Sequence, residues 1–441
     1  MKATLCRTAG AGLAVTALVV AAAGCSGGSS GGSGTIQLWH FFSDREAGVI
    51  KSTVADFTRS TGVKVSIHSG QDDEKVQHAI AAGKQVDVAI SYSTDIIGKF
   101  CTSGAFRDLG PYIKKDGVDL SAFPQQVRSY TEYKGKRCAM PVLADTYGLY
   151  YNKTLFQAAG ITAPPKTLDE FDADVKKTTQ RNPDGSIKVA GFVPLSTFFE
   201  STPQHFGPLW GAKWFDSSGR SNLAADPGWK AMAQWQNDLI KFYGDGDLKT
   251  GYDRLKKFTS GLGQEFDAGN PFHKGQVAMM IDGEFRTAFI ADQAKDLQYG
   301  TAPFPVPADH ADRYGAGFVT GNIAGIGKGS KNPDKAWKLL KYLTTDTGAL
   351  VKLSQGLKNV PTTQAALAQS GLAADPNFKT FIDVYNNPNT MSSPSSPNGG
   401  LYQVTFQNWL DGYQSGKESD LDGGLKKTDK AIDDAIKLGG G

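Results

Sequence analysis

The sequence predicts an α/β fold, on two observations: buried-strand and amphipathic-helix patterns alternate from residue 35 onward, and the chain is long enough to enclose a cleft between lobes. Its 441 residues are 40% hydrophobic and 21% charged, a globular balance with material for two or three ordinary cores.

The first predicted strand is Thr35-Ile36-Gln37-Leu38-Trp39. Val49, Ile50, Val54 and Phe57 follow at helical spacing, and Val63-Lys64-Val65-Ser66-Ile67 alternates as a strand, which completes a βαβ unit. Val76, Ala79 and Ile80 mark a second helix, and Val86-Asp87-Val88-Ala89-Ile90 reads as a buried strand. The rhythm implies a mainly parallel sheet covered by helices. Thr167 with Glu170 forms a capping box, and Asn332-Pro333-Asp334 opens a helix carrying Trp337, Leu340 and Leu343. A Ser/Pro/Gly/Asn loop spans Met391 to Gly400, and Leu425, Ile432, Ala435 and Ile436 share one face of the last helix.

The N-terminal segment reads as an address. Lys2 and Arg7 precede an apolar stretch from Ala9 to Ala23 that is short for a membrane span, as in a secretory signal. Ala22-Ala23-Gly24 stands immediately before Cys25, and this resembles a bacterial lipoprotein cleavage box, which implies residues 1–24 as signal peptide and Cys25 as the lipidated residue. Residues 25–34 then form the lipidated cysteine and a flexible Gly/Ser tether. Gly27-Gly28-Ser29-Ser30-Gly31 in this tether satisfies the hydrolase pattern G-x-S-x-G, but lacks the strand and helix that give that pattern meaning.

Without Lys2 and Arg7 the net charge falls from +3 to +1, which argues against nucleic acid or an anionic membrane surface as the ligand. Cys6 lies in the signal and Cys25 carries the lipid, leaving Cys101 and Cys138 either to form one disulfide or to remain two buried thiols.

No enzymatic motif emerges. His40, His68, His78, His205, His273 and His310 show no H-E-x-x-H spacing, and no C-x-x-C pair is present, so neither a metal nor another cofactor is expected. Gly325 to Ser330 lacks the first glycine of a phosphate-binding loop, so ATP hydrolysis belongs to a partner. Asp145, Asp282 and Glu284 are candidates for glycoside cleavage only if the fold pairs them across a glycosidic bond.

Aromatic side chains instead stand beside polar ones in loop-like contexts: Trp39-His40-Phe41-Phe42-Ser43, Ser91-Tyr92-Ser93, Trp210-Gly211 with Trp214, and Asp282-Gly283-Glu284-Phe285. A pyranose needs this mixture, since its C–H face lies on a ring while its hydroxyl rim calls for directed carboxylates and amides.

Pro141-Val142-Leu143-Ala144-Asp145-Thr146-Tyr147-Gly148-Leu149-Tyr150-Tyr151-Asn152-Lys153-Thr154-Leu155-Phe156 resembles the family 1 extracellular solute-binding proteins, the maltose-binding protein group. Phe272 to Gly283, Gly317 to Gly327 and Ser330 to Trp337 continue the likeness in order, across residues 35–438. The resemblance implies the two-lobed periplasmic-binding-protein type II fold, with discontinuous lobes, a hinge and a central ligand cleft. Residues 35–143 with 300–345 are expected as one lobe and 147–295 with 349–441 as the other, with crossings near 143–147, 295–300 and 345–349.

By motif position the resemblance places Asp145 as a sugar-binding carboxylate, one carbon shorter than the family's common Glu, and Phe285 as a stacking ring where maltose binders carry Trp. The loops Phe41, Ser43, Asp44 and Tyr92, Asp95, the turn at Tyr402 and Gln403, and Tyr147 and Asn322 within the matched stretches complete the expected contacts with Trp210, Asp282 and Glu284. Asn152 and Lys153 are read as scaffold.

The implied function is non-enzymatic. A monomer, held to the outer face of the cell membrane by its lipid alone, captures a carbohydrate by lobe closure and delivers it to an ABC permease with a separate ATPase. Two alternatives stand beside it. One is a binder of glycerol phosphate or another polar solute, for which Arg45, Arg286 and Arg313 are the anion-binding candidates; the other is a lipid-anchored glycoside hydrolase.

Overall fold

The structure, a computed structural model, describes residues 34–439. The signal segment, Cys25 and the tether as far as Ser33 lie outside these residues. Among the described residues no helix is long and apolar enough to cross a membrane.

The chain opens as its periodicity predicts. Strand β1 (Ile36–His40) is followed by helix α1 (Asp44–Thr61), strand β2 (Val65–His68), helix α2 (Asp73–Ala81) and strand β3 (Val88–Ser91). α1 buries Ile50, Thr53, Val54 and Phe57, carries Asp44 and Glu46 where they complement the helix dipole, and stops at Gly62, whose φ of 73° any side chain would resist. β1 lies between β2 and β3 in parallel, with Leu38 opposite Ile67 and Val88.

β4 (Ala139–Asn152) is a 14-residue strand, buried along nearly all its length because both faces are covered. Its second half pairs with β5 (Met279–Gly283), Tyr147 opposite Gly283, and with β6 (Tyr299–Ala302), Leu149 opposite Ala302. Its first half pairs with β7 (Val319–Ile326), Ala139 opposite Gly325. All these pairings are antiparallel, as is that of β7 with β3. The sheet is therefore mixed rather than mainly parallel. β4 and β7 run alongside each other instead of being joined by helical crossovers.

Two large apolar cores divide the fold. The first holds Leu38, Phe57, Ile90, Val142, Ala144, Val319, Leu340 and Leu353. The second holds Tyr147, Leu149, Phe171, Phe206, Trp229, Phe304, Phe318 and Phe406. The chain changes core between Ala144 and Tyr147, again between Phe318 and Val319, and again between Tyr385 and Tyr402.

Two expected crossings move. β6 stays hydrogen-bonded to β4, and Phe304 and Val306 pack in the second core, so no exchange occurs near 295–300. The helix Thr347–Leu357 turns Leu350, Leu353 and Leu357 into the first core, so residues 345–349 do not separate the cores either. The crossing segments lie together: Val319 N–H donates to Met391 O at 2.8 Å, and a Cβ on Gly317 would stand 3.3 Å from Tyr147 O.

Thr167 and Glu170 form the reciprocal capping box, and Asn152 Oδ1 accepts from Leu155 N–H, a scaffold role. Cys101 and Cys138 form a disulfide with Cα atoms 5.7 Å apart.

Candidate functional site

The site begins where strands end. After β1 the chain turns through Phe41, Phe42 and Ser43 into α1, and Asp44 adopts a left-handed φ of 45°. Such a backbone persists only where its surroundings impose it. After β3, Tyr92 stands 52% exposed with its ring edge-on to Phe41 at 5.6 Å. Ser93 Oγ donates to Asp95 Oδ2 at 3.2 Å.

β4 supplies the floor at the exchange between cores. Asp145, 6% exposed, accepts from Asn322 Nδ2 at 3.4 Å and from Asn359 Nδ2. The Asn359 amide also donates to Glu284 Oε1 at 3.2 Å, and Thr146 N–H to Glu284 Oε2 at 2.7 Å. Burial pushes both carboxyls up, Asp145 to about 7. Enclosure and the neighbouring Asp145 charge hold Glu284 well above the usual carboxylate range.

The opposite wall is built by Phe266, Phe285 and Phe289 with Glu200. The Phe285 ring folds back over Gly283, where a Cβ would meet its Cε1 at 2.2 Å, so the Asp-Gly turn is what lets the ring lie there. Glu200 follows Phe199, whose φ of 45° is exceptional for a bulky residue. His205, 4% exposed, stacks on Tyr147 at 3.9 Å, and its Nδ1 lies 2.7 Å from Glu200 O. Burial lowers His205 to about 4, so the ring is neutral, donates Nδ1–H to that carbonyl and keeps Nε2 as an acceptor.

Two hollows result, of about 500 Å³ and 760 Å³. Both are lined by Tyr92, Tyr147 and Glu200, which form the waist of one continuous cleft.

The profile of the bacterial extracellular solute-binding proteins matches residues 43–350. The chain belongs to this family. It is 24% identical to the maltotriose-binding protein of Pyrococcus abyssi (strain GE5 / Orsay) over 405 residues, 91% of this chain and 82% of that one. It is 24% identical to the diacetylchitobiose binding protein DasA of Streptomyces coelicolor, over 87% of this chain and 92% of that one. Among solved structures it resembles CpMnBP1 with mannotriose bound, at a TM-score of 0.77 and 25% identity, covering 90% of this chain and 99% of that one. MalE of Xanthomonas citri, 19% identical at a TM-score of 0.72, shares the two-lobed fold over 92% and 98%.

In this solute-binding protein Phe41, Ser43, Asp44, Tyr92, Asp145, Tyr147, Phe285 and Asn322 meet in the first hollow. Asp95 and Gln403 line the second, with Tyr92 and Tyr147. Four expected contacts lie elsewhere. Asp282 is sealed in an ion pair with Arg286 at 2.6 Å, Glu284 sits behind Asp145, and Tyr402 is buried with its hydroxyl on Pro394 O at 2.8 Å. Trp210 packs on Trp235 at 5.9 Å, away from both hollows. The sequence reading missed Glu46, Glu200, Phe266, Phe289 and Asn359. Phe198-Phe199-Glu200-Ser201 repeats the aromatic-polar mixture that drew attention to Phe41, and that signal was available.

Glu200, Glu265 and Asp282 bring carboxylate oxygens within 4.8 Å of one another. Arg286 lies among them, its Nη1 on Glu265 O at 2.8 Å, so a guanidinium already supplies the positive charge a metal ion would bring.

Proposed function

We propose that this chain is the carbohydrate-capturing component of an ABC import system, closing over an oligosaccharide and passing it unaltered to a membrane permease with a separate ATPase. One observation carries the reading. At the point where β4 changes core, Asp145 enters a cleft whose two walls face it with the rings of Phe41 and Tyr92 on one side and Phe266, Phe285 and Phe289 on the other. Rings supply area for pyranose faces, while Asp145, Asp44, Glu200 and Gln403 accept or donate at the hydroxyl rim.

Contacts from both walls favour the closed arrangement over an open one, and that differential affinity is what drives closure. The combined hollows accommodate more than one sugar ring. The relatives bind maltotriose, diacetylchitobiose and mannotriose by their names, which supports an oligosaccharide. Export and anchoring through Cys25, a monomeric state and the absence of catalysis belong to the same proposal. Asp145 and Glu284 share one amide from a single side instead of flanking an open space, which suits binding better than hydrolysis.

A thermal-shift screen of mannotriose, maltotriose, diacetylchitobiose, single sugars and glycerol 3-phosphate tests the reading. An oligosaccharide at about a hundred times its Kd adds about 2.7 kcal/mol to stability and raises the melting temperature. A shift with glycerol 3-phosphate alone, or chromatographic appearance of shorter sugars, contradicts it.

A further inference from the structure

The end of the sheet opposite the cleft gathers the starts of β1, β2 and β3 and the finish of β7, and the described chain enters the fold there. Resting on the anchoring through Cys25 proposed above, we infer that this end is a membrane-facing surface: Lys64, Lys84, Arg107, Lys328, Lys331 and Lys335 seat it on the anionic headgroups of the bilayer that holds the lipid, and the cleft opens away from the membrane.

Strand register fixes the placement. Ile36 pairs with Val65, and Val88 pairs with Leu38 and Ile326, so the segments before β1, β2 and β3 and after β7 leave at one end, while Phe41 and Tyr92 leave β1 and β3 at the other. Ile36 N–H donates to Lys64 O at 2.9 Å, and a Cβ on Gly34 would stand 2.5 Å from Lys335 Nζ. Lys328 N–H donates to Ala105 O at 2.8 Å, and a Cβ on Gly329 would lie 3.9 Å from Lys84 O. Arg107 Nη2 donates to Lys328 O at 2.7 Å and to Ser330 O at 3.2 Å. Lys331 follows at the entrance to the helix Pro333–Thr345, and Lys335 stands in that helix's first turn, where the helix dipole disfavours a cation.

The charge at this end is unbalanced. Lys64, Lys84, Lys328 and Lys331 are exposed, Arg107 and Lys335 half-buried, and none of the six forms an ion pair among the described residues. In the segments that meet here, residues 34–36, 61–65, 82–88, 104–108 and 326–335, the acids are Asp87, Asp108 and Asp334. Asp87 is fully buried and accepts from Gln37 N–H, Gln85 Nε2 and Ser330 Oγ, which leaves six cations facing two exposed acids. The turns into α1 and α2 at the cleft end show no such excess, with Asp44, Glu46, Asp72 and Glu74 against Arg45 and Lys75.

Gly34 stands nine residues after Cys25, a stretch that spans at most about 30 Å, so the lipid keeps the end at which the chain enters within that distance of the bilayer. Within that reach the cations select the orientation, since each Lys or Arg close to an anionic surface favours the bound state about fivefold. The near-neutral total conceals this separation of charge, and the face adds a second hold to that of the lipid.

Lysine acetylation read by mass spectrometry tests this on the acylated chain as exported, reconstituted in vesicles of phosphatidylcholine alone or with about 30% phosphatidylglycerol. On the anionic vesicles at about 50 mM salt, Lys64, Lys84, Lys328 and Lys331 should react about threefold or more slowly than on the neutral ones, and the difference should vanish at about 500 mM salt. Lys256 and Lys427, on helices packed in the second core, serve as references and should react alike on both. Lys328→Glu combined with Lys331→Glu, at exposed positions, should return Lys64 and Lys84 to the rates seen on neutral vesicles; protection that survives the pair of substitutions overturns the assignment. Acylated protein whose lysines react equally on both vesicles overturns the inference and leaves the anchor in place. Protection by added polyphosphate but not by anionic vesicles gives the face to a soluble polyanion and overturns it too. Cys25 found without acyl chains overturns the anchoring reading itself, and the orientation with it.

Discussion

Arg45 Nε lies 3.1 Å from Asp292 Oδ2, across the mouth of the cleft. Arg45 is fixed to its own side by Gly356 O, and its guanidinium carbon lies 5.8 Å from the Phe289 ring on the other. With side chains 35% and 54% exposed, the pair contributes at most about 1 kcal/mol. Arg45→Ala should therefore weaken oligosaccharide binding by up to about fivefold, mainly through faster dissociation, with little change in melting temperature. Stopped-flow dissociation rates check it; unchanged rates would show that the pair does not bias closure.

Asp145→Ala leaves the Asn322 amide without its acceptor in a buried floor and leaves the Asn359 amide with Glu284 alone. Affinity should fall by about tenfold or more, and stability by about 1–3 kcal/mol, since unpaired buried donors carry their full desolvation cost. Calorimetric titration together with urea unfolding reads both quantities, and unaltered affinity would take Asp145 out of the site.

Gly283→Ala should act like Phe285→Ala. The added Cβ occupies the space of the Phe285 ring and displaces it from the cleft wall. Both variants should lose affinity by a similar factor, about tenfold. A Gly283→Ala protein that binds as wild type would mean the ring does not touch the ligand.

Burial raises Asp73 to about 7 against an ordinary value of 3.8, opposed by its bond from Ser91 Oγ and the charge of Lys99, and reinforced by Asp72 and Asp95. Between these values the folded chain holds the proton that the unfolded chain has released, so stability at this site is lost as pH rises from about 4 to about 7. Asp73→Asn removes that loss. The variant should gain stability over wild type by up to a few kcal/mol at pH 7.5 and little at pH 4, by urea unfolding. An equal gain at both pH values would contradict the assignment.

The parts legible in the sequence are local. The βαβ opening, the Thr167–Glu170 box and the loops at Phe41 and Tyr92 follow from periodicity and from aromatic residues at strand ends. Asp145 was legible only through the Tyr-Asn-Lys motif that follows it. What sequence could not supply is which side of a turn faces the cleft: Asp282 and Glu284 flank Gly283 and both turn inward, while Phe285 turns out. Glu200 and Asn359 reach the site from 55 and 214 residues beyond Asp145, a distance no local pattern spans. The two displaced crossings have the same origin, because an amphipathic helix such as Thr347–Leu357 shows that it packs but not against which core.

The central claim is that two cores hinged at residues 144–147 close over an oligosaccharide without altering it. Small-angle X-ray scattering of the exported chain, titrated with a trisaccharide that raises its melting temperature, measures this most directly. The account predicts a smaller radius of gyration at saturation, with the sugar recovered at its original mass. Scattering profiles that superimpose with and without bound sugar would contradict it.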